Sequence, residues 1–142
     1  MANYKQIGDG FFIGPQPTEQ DLEDAKQQGI RTVIDFRMPS ETATLNADLV
    51  SNCGLDYVNV PVNKAALSEQ QIGELDEAMK HKEGPYLLHC ATGTRAAMLL
   101  ALSRAKQNGW TAARTFQEAE SMGFNLRSSA DFAKFIEQTI GK

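Results

Sequence analysis

The sequence predicts an α/β domain, a mostly parallel central sheet flanked by helices, and three observations carry that prediction. Short β-branched runs alternate with amphipathic stretches, a pattern that favours parallel strands joined by helical crossovers. Glycines at positions 29 and 54 fall just past helical stretches, where a left-handed residue ends a helix. Residues 96–102 (Ala-Ala-Met-Leu-Leu-Ala-Leu) are apolar on nearly every side, which marks a helix enclosed by other elements rather than one lying on the surface.

Taken in order, Phe11-Phe12-Ile13 reads as a short strand ended by Gly14-Pro15-Gln16-Pro17. Thr18 is the N-cap of a helix that carries Leu22 and Ala25 and is terminated by Gly29. Residues 30–36 form the next strand, rich in β-branched Ile30, Thr32, Val33 and Ile34. Ser40 and Glu41 begin a second helix that runs to Cys53 and stops at Gly54. A strand follows over 55–62, with Pro61 near its end marking an edge or a bend. Ser68 and Gln71 have the spacing of a capping box, and Ile72, Leu75 and Met79 recur at helical spacing behind it. Gly84-Pro85 turns the chain into the strand Tyr86-Leu87-Leu88, and a buried helix opens at Arg95. Residues 110–122 and 128–140 complete the set as two further helices, the last with Phe132, Phe135, Ile136 and Ile140 on one side.

At 142 residues the chain suits one domain, 1–142, large enough for a substantial core, and no repeat, linker or low-complexity tract interrupts it. A formal charge of −4 without a basic block argues against nucleic acid or an anionic membrane as the main partner. The N-terminus lacks the apolar core of a signal peptide, and no stretch reaches transmembrane length. Two cysteines do not make a disulfide framework, so a cytoplasmic location is expected. Two histidines and two cysteines at unrelated spacings do not make a metal site, and no cofactor is expected.

The chemistry concentrates in residues 86–99. An apolar strand ends in His89-Cys90, a loop of Ala91, Thr92, Gly93 and Thr94 follows, and Arg95 opens the buried helix. A helix N-terminus carries free N–H groups and about half a positive charge. A cysteine placed there is favoured as the thiolate, and the same donors bind an oxyanion. Arg95 adds a planar donor fork, and a cation at a helix start opposes the dipole unless an anion is bound between them. Cys90 and Arg95 are therefore the candidate catalytic pair, and residues 91–95 the anion-binding loop. Gly93 supplies a positive φ or a close approach. Thr92 and Thr94 either donate to the anion or satisfy loop backbone. His89, at the end of a buried strand, is a supporting residue that holds the loop by hydrogen bonds rather than a general base. Cys53, before a helix-ending glycine, is read as structural. Arg37 and Glu41 flank a strand's carboxyl end and are read as a solvated surface pair, with a role at the rim of the site as the alternative, and His81 is read as exposed at a charged helix end.

This cluster resembles the loop of cysteine-dependent protein phosphatases, in which five residues separate Cys from Arg. Only four do so here. The chain is identified as a member of the bacterial family of phosphatase-like domains of beta-lactamase-hydrolase-like proteins. The likeness rests on His89-Cys90-x-x-Gly93-x-Arg95, residues 11–17, 32–37 and 56–62, and Gly109-Trp110. That resemblance implies a protein-tyrosine-phosphatase-like fold, and some members of the family are classed as sulfurtransferases.

Two chemistries fit one cradle. A phosphatase needs an acid for a poorly leaving alkoxide or phenoxide. The resemblance puts that acid, an aspartate, in the loop after strand 55–62. Here residues 63–67 read Asn-Lys-Ala-Ala-Leu, without a carboxylate, and Ala96 stands where those phosphatases often have Ser or Thr. Sulfur transfer asks for less, because sulfite or a low-pKa thiolate leaves without a proton. The sequence reading therefore expects a rhodanese-like sulfurtransferase working through a Cys90 persulfide, its partners a small sulfur-containing anion such as thiosulfate and a thiol acceptor. A phosphatase working through a Cys90 phosphocysteine is the alternative. A non-catalytic module binding phospho-anions is a further one.

Overall fold

The computed structural model describes residues 4–7, 10–38 and 47–140, without the side chains of residues 47 and 64. Five strands form one sheet: β1 (Lys5–Gln6), β2 (Phe11–Gly14), β3 (Thr32–Asp35), β4 (Asp56–Asn59) and β5 (Tyr86–His89). Their order is β1-β2-β5-β3-β4. Only β1 runs antiparallel, against β2; all other pairs are parallel. The helices are α1 (Glu19–Gln27), α2 (Ala47–Asn52), α3 (Glu69–His81), α4 (Thr94–Asn108), α5 (Ala112–Ser121) and α6 (Ala130–Ile140). Short 3-10 turns cover Lys64–Ala66 and Leu126–Ser128.

Local chemistry accounts for most element ends. Thr18 and Ser68 both close capping boxes, with Asp21 and Gln71 reaching back to the cap N–H, and Thr111 caps α5. Gly29 and Gly54 take positive φ after α1 and α2. β4 is an edge strand, in keeping with Pro61 just beyond it, since a proline cannot donate to a ladder. The expected helix start at Ser40 and Glu41 lies outside the described residues; within them α2 begins at Ala47. The last helix begins at Ala130 rather than Ser128, because Leu126–Ser128 form a separate 3-10 turn under the Asn125 cap.

Side chains alternate across the strands. One core gathers Ile13, Ile34 and Leu88 with residues of α3, α4, α5 and α6; the other gathers Val33 and Leu87 with Leu22 and Ala25 of α1 and Val50 of α2. Helices thus cover both faces, as parallel strands require. α4 is the central one. Residues 96–103 and Ala105 are all buried, so a leucine-to-alanine change there removes contacts on several sides. The register sets Gly14, His89, Asp35 and Asn59 in one row at the carboxyl ends of β2, β5, β3 and β4. That is the rim at which open α/β sheets carry their sites.

Candidate active site

Cys90 is the first residue past β5, and α4 begins four residues later. The turn between them depends on Gly93, whose φ of +100° lies in the left-handed region. A Cβ there would sit 2.8 Å from Phe124 Cζ and 3.3 Å from the Gly14 carbonyl oxygen, so both backbone and packing demand glycine. The Gly93 N–H donates to Cys90 Sγ at 2.9 Å. The sulfur is thus held as an acceptor, in a site where Cys90 is only 1% exposed. The loop is braced from the segment after β2 by the Gln16 N–H, which donates to the Ala91 carbonyl at 3.4 Å.

Arg95 lies in the first turn of α4, and its Nη1 donates to the Val62 carbonyl at 3.0 Å. That bond ties the guanidinium to the segment leaving β4 and fixes the fork beside the loop. Thr92 and Thr94 join their hydroxyls at 3.0 Å. A cleft of about 500 Å³ opens over these residues. Its polar lining residues are Asn63, Thr92, Thr94, Arg95 and Ser129, and its apolar ones Met38, Val62 and Phe132. None of these residues is a carboxylate.

Beneath the loop is a buried polar network that the sequence reading missed. Arg37 is 2% exposed and is no surface residue. Its Nε and Nη2 donate to the two oxygens of Asp35 at 3.0 and 2.9 Å, and its backbone N–H donates to Oδ1 at 2.9 Å. The Tyr57 hydroxyl donates to Asp35 Oδ2 at 2.8 Å, and Asn59 Nδ2 donates to the carbonyls of Asp35 and Arg37. The solvated-pair reading of Arg37 is therefore corrected: a buried carboxylate two residues earlier is its partner. Glu41 lies outside the described residues. The available signal was a charged i, i+2 pair at the end of an apolar strand (Val33-Ile34-Asp35-Phe36-Arg37). Burial alone would raise the Asp35 carboxyl, but bonds from Arg37 and Tyr57 outweigh it and hold it below the usual range.

His89 is fully buried, with Nδ1 3.4 Å from the Cys90 carbonyl and 3.9 Å from Asp35 Oδ1. Burial depresses its pKa to about 4 against the pull of Asp35. At neutral pH it is a neutral imidazole placed to hold the Cys90 backbone, and among the described residues that line the cleft the positive charge is that of Arg95. Cys53 packs against the second core, on the opposite face from Cys90 and before β4 rather than after β5. The fold does not bring the two thiols together. His81, at the end of α3, is exposed and pairs with Glu77 at 2.9 Å. Among the described residues no group of His, Cys, Asp or Glu could hold a metal ion, and no helix is long and apolar enough to cross a membrane.

A parallel sheet with helices on both faces, and a cysteine and an arginine bracketing a glycine turn at the start of its central helix, define a protein-tyrosine-phosphatase-like domain. Residues 3–107 match the model of the beta-lactamase hydrolase-like protein, phosphatase-like domain, and the chain belongs to that family. It is 30% identical over 105 residues to a beta-lactamase hydrolase-like protein of Agrobacterium fabrum, and 31% over 102 residues to one of Xylella fastidiosa. These matches cover 70% and 68% of this chain but 24% of each relative, so the chain spans about a quarter of the curated relatives' length. Among solved structures, a candidate phosphatase (DUF442) of Shewanella putrefaciens superposes with a TM-score of 0.80 at 23% identity, covering 96% of this chain and 88% of that one. A candidate phosphatase of Neisseria meningitidis gives 0.78 at 24%, covering 98% and 99%. TpbA of P. aeruginosa gives 0.76 at 17%, covering 96% and 84%. At these identities the likeness establishes the fold.

Proposed function

We propose that this chain is a cysteine-dependent phosphatase acting through a phosphocysteine on Cys90. The observation that carries the reading is the Gly93 N–H held on Cys90 Sγ at 2.9 Å at the mouth of α4, an arrangement that holds the sulfur where a phosphoryl group can be cradled. The names of the structural neighbours support phosphoryl over sulfur chemistry. In the first step the thiolate attacks phosphorus, an S–P bond forms, and the ester or anhydride oxygen departs with the bonding pair. The loop N–H groups and the Arg95 fork stabilise the charge on the phosphoryl oxygens. In the second step water attacks phosphorus, the S–P bond breaks, phosphate leaves, and the thiolate is restored as the water proton passes to solvent or phosphate.

The cleft lacks a carboxylate among the described residues, Asp35 is engaged by Arg37, and His89 is neutral. None of these groups is a proton donor at neutral pH. Leaving groups that depart as stable anions are therefore preferred over alkoxides.

Sulfur transfer is the second reading, and it rests on a specific observation: four residues rather than five between Cys90 and Arg95, followed by a buried Ala96 without a hydroxyl. On this reading thiosulfate gives its outer sulfur to Cys90, sulfite leaves, and a thiol takes the sulfur. Parallel turnover of p-nitrophenyl phosphate and of thiosulfate plus cyanide, by wild type and Cys90→Ser, separates the two. Phosphate release lost in Cys90→Ser supports the phosphatase. Thiocyanate formation without phosphate release replaces it with the sulfurtransferase. Turnover by neither leaves the binding module.

A further inference from the structure

Among the described residues, three helices start with a hydroxyl that caps them. Thr18 accepts from Asp21 N–H, Ser68 from Gln70 N–H, and Thr111 from Arg114 N–H. Ser129 has the same position before α6, where its carbonyl accepts from the Ala133 N–H. Its hydroxyl does not follow the pattern. Ser129 Oγ is itself buried in a half-buried residue and has no hydrogen-bond partner among the described residues, and the residue lines the same cleft as Thr94 and Arg95. An unpaired buried hydroxyl costs stability, so its persistence at a site calls for a reason. A serine side chain has three staggered positions, so an acceptor bound in the cleft can draw the hydroxyl to itself.

We infer that Ser129 is a substrate contact that donates to an oxygen of the leaving group, and that the cleft therefore selects phosphoric anhydrides. This rests on the phosphatase reading. Two independent features converge on the class. The cleft, among the described residues, offers no proton to a departing oxygen, so the leaving group must be stable as an anion. Ser129 requires that this group also carry a further acceptor oxygen. A carboxylate leaving from an acyl phosphate, or a phosphate leaving from a pyrophosphate, meets both conditions. A simple alkoxide or phenoxide without further oxygens meets neither, because each leaves poorly without a proton. On attack by Cys90 the bridging P–O bond breaks and its electron pair stays on the carboxylate or phosphate, which needs no proton at neutral pH. Ser129 lies outside the residues 3–107 shared with the family, so this selectivity belongs to the C-terminal part of the chain.

The test uses two phosphonates of the same shape. Acetonylphosphonate carries a carbonyl oxygen where 2-methylallylphosphonate carries a methylene. Each is titrated for protection of Cys90 against iodoacetamide, in wild type and in Ser129→Ala. Wild type is expected to bind the carbonyl compound about five-fold more tightly, the worth of one neutral hydrogen bond. Ser129→Ala should bind both equally, with the methylene compound unchanged and the melting temperature not lowered. In turnover, Ser129→Ala should lower kcat/KM about five-fold for acetyl phosphate, pyrophosphate or both, and by less for phenyl phosphate, whose leaving group carries no second oxygen. The two anhydrides distinguish a carboxylate from a phosphate leaving group. Equal binding by wild type, or a preference that survives in Ser129→Ala, overturns the Ser129 contact. A loss of kcat/KM equal for anhydrides and phenyl phosphate overturns the anhydride class. A preference that depends on Ser129, with no phosphate compound turned over, keeps the contact and removes the phosphatase reading. Failure of both phosphonates to protect Cys90 overturns both.

Discussion

His89 makes the stability of this fold depend on pH in a window of its own. The imidazole is fully buried, and its pKa falls from the ordinary 6.5 to about 4. The unfolded chain takes up a proton at this side chain as pH drops through 6.5, whereas the folded chain does so only near pH 4. Between these values the unfolded state binds more protons, so stability falls with falling pH. The contribution is fully present above about pH 6.5, is lost progressively down to about pH 4, and changes no further below that. A difference of about 2.5 pH units is worth about 3 kcal/mol, a large part of the stability of a domain this size. His89→Asn keeps a donor near the Nδ1 position and removes the titration. Urea unfolding from pH 7.5 to 4, followed by tryptophan fluorescence or circular dichroism, reads the effect. The wild type should lose about 3 kcal/mol more than His89→Asn over that interval, because the carboxylates apart from Asp35, which His89 itself influences, titrate alike in both. Parallel pH profiles for the two proteins would refute the claim that His89 is buried as a neutral imidazole beneath the loop.

Gly93→Ala should lower stability by about 1–2 kcal/mol from the left-handed backbone alone, and it should reduce turnover at least tenfold as the Gly93 N–H leaves Sγ; thermal unfolding and initial rates check the two together. Arg95→Lys keeps the charge but loses the planar fork, so turnover should fall sharply with little change in melting temperature. Asp35→Ala strands the buried Arg37 guanidinium and should cost roughly 3–5 kcal/mol, measured by denaturant unfolding. A cost below 1 kcal/mol would mean that Arg37 finds another partner.

The parts of this protein legible in the sequence are those fixed by near neighbours in the chain. The capping boxes at Thr18 and Ser68 act within four residues, and α1 and α3 start where those residues put them. The Cys90–Arg95 loop is equally local: one strand end, one glycine and one helix start define it, with α4 opening at Thr94, one residue before Arg95. Tertiary partners were not legible. β1 is two polar residues, Lys5 and Gln6, which become a strand only by pairing with Phe12 and Ile13. Arg37 reads as a surface charge because its burial depends on Tyr57 and Asn59 closing the network from β4. Ser129 and Phe132 reach the cleft only because α6 packs back beside α4, and nothing in their local pattern announces it. The choice between sulfur and phosphorus turns on groups that the cleft lacks, which a sequence shows less directly than groups it has.

The most direct test of the account is to identify what Cys90 carries during turnover. Wild-type protein is mixed with acetyl phosphate or p-nitrophenyl phosphate, quenched within milliseconds, and mapped by mass spectrometry; a second sample receives thiosulfate. A phosphatase working through Cys90 carries one phosphoryl group there from the phosphate donors, absent from Cys90→Ser and depleted in Arg95→Lys. A single sulfur atom on Cys90 from thiosulfate, with no phosphoryl adduct from either phosphate donor, would contradict it.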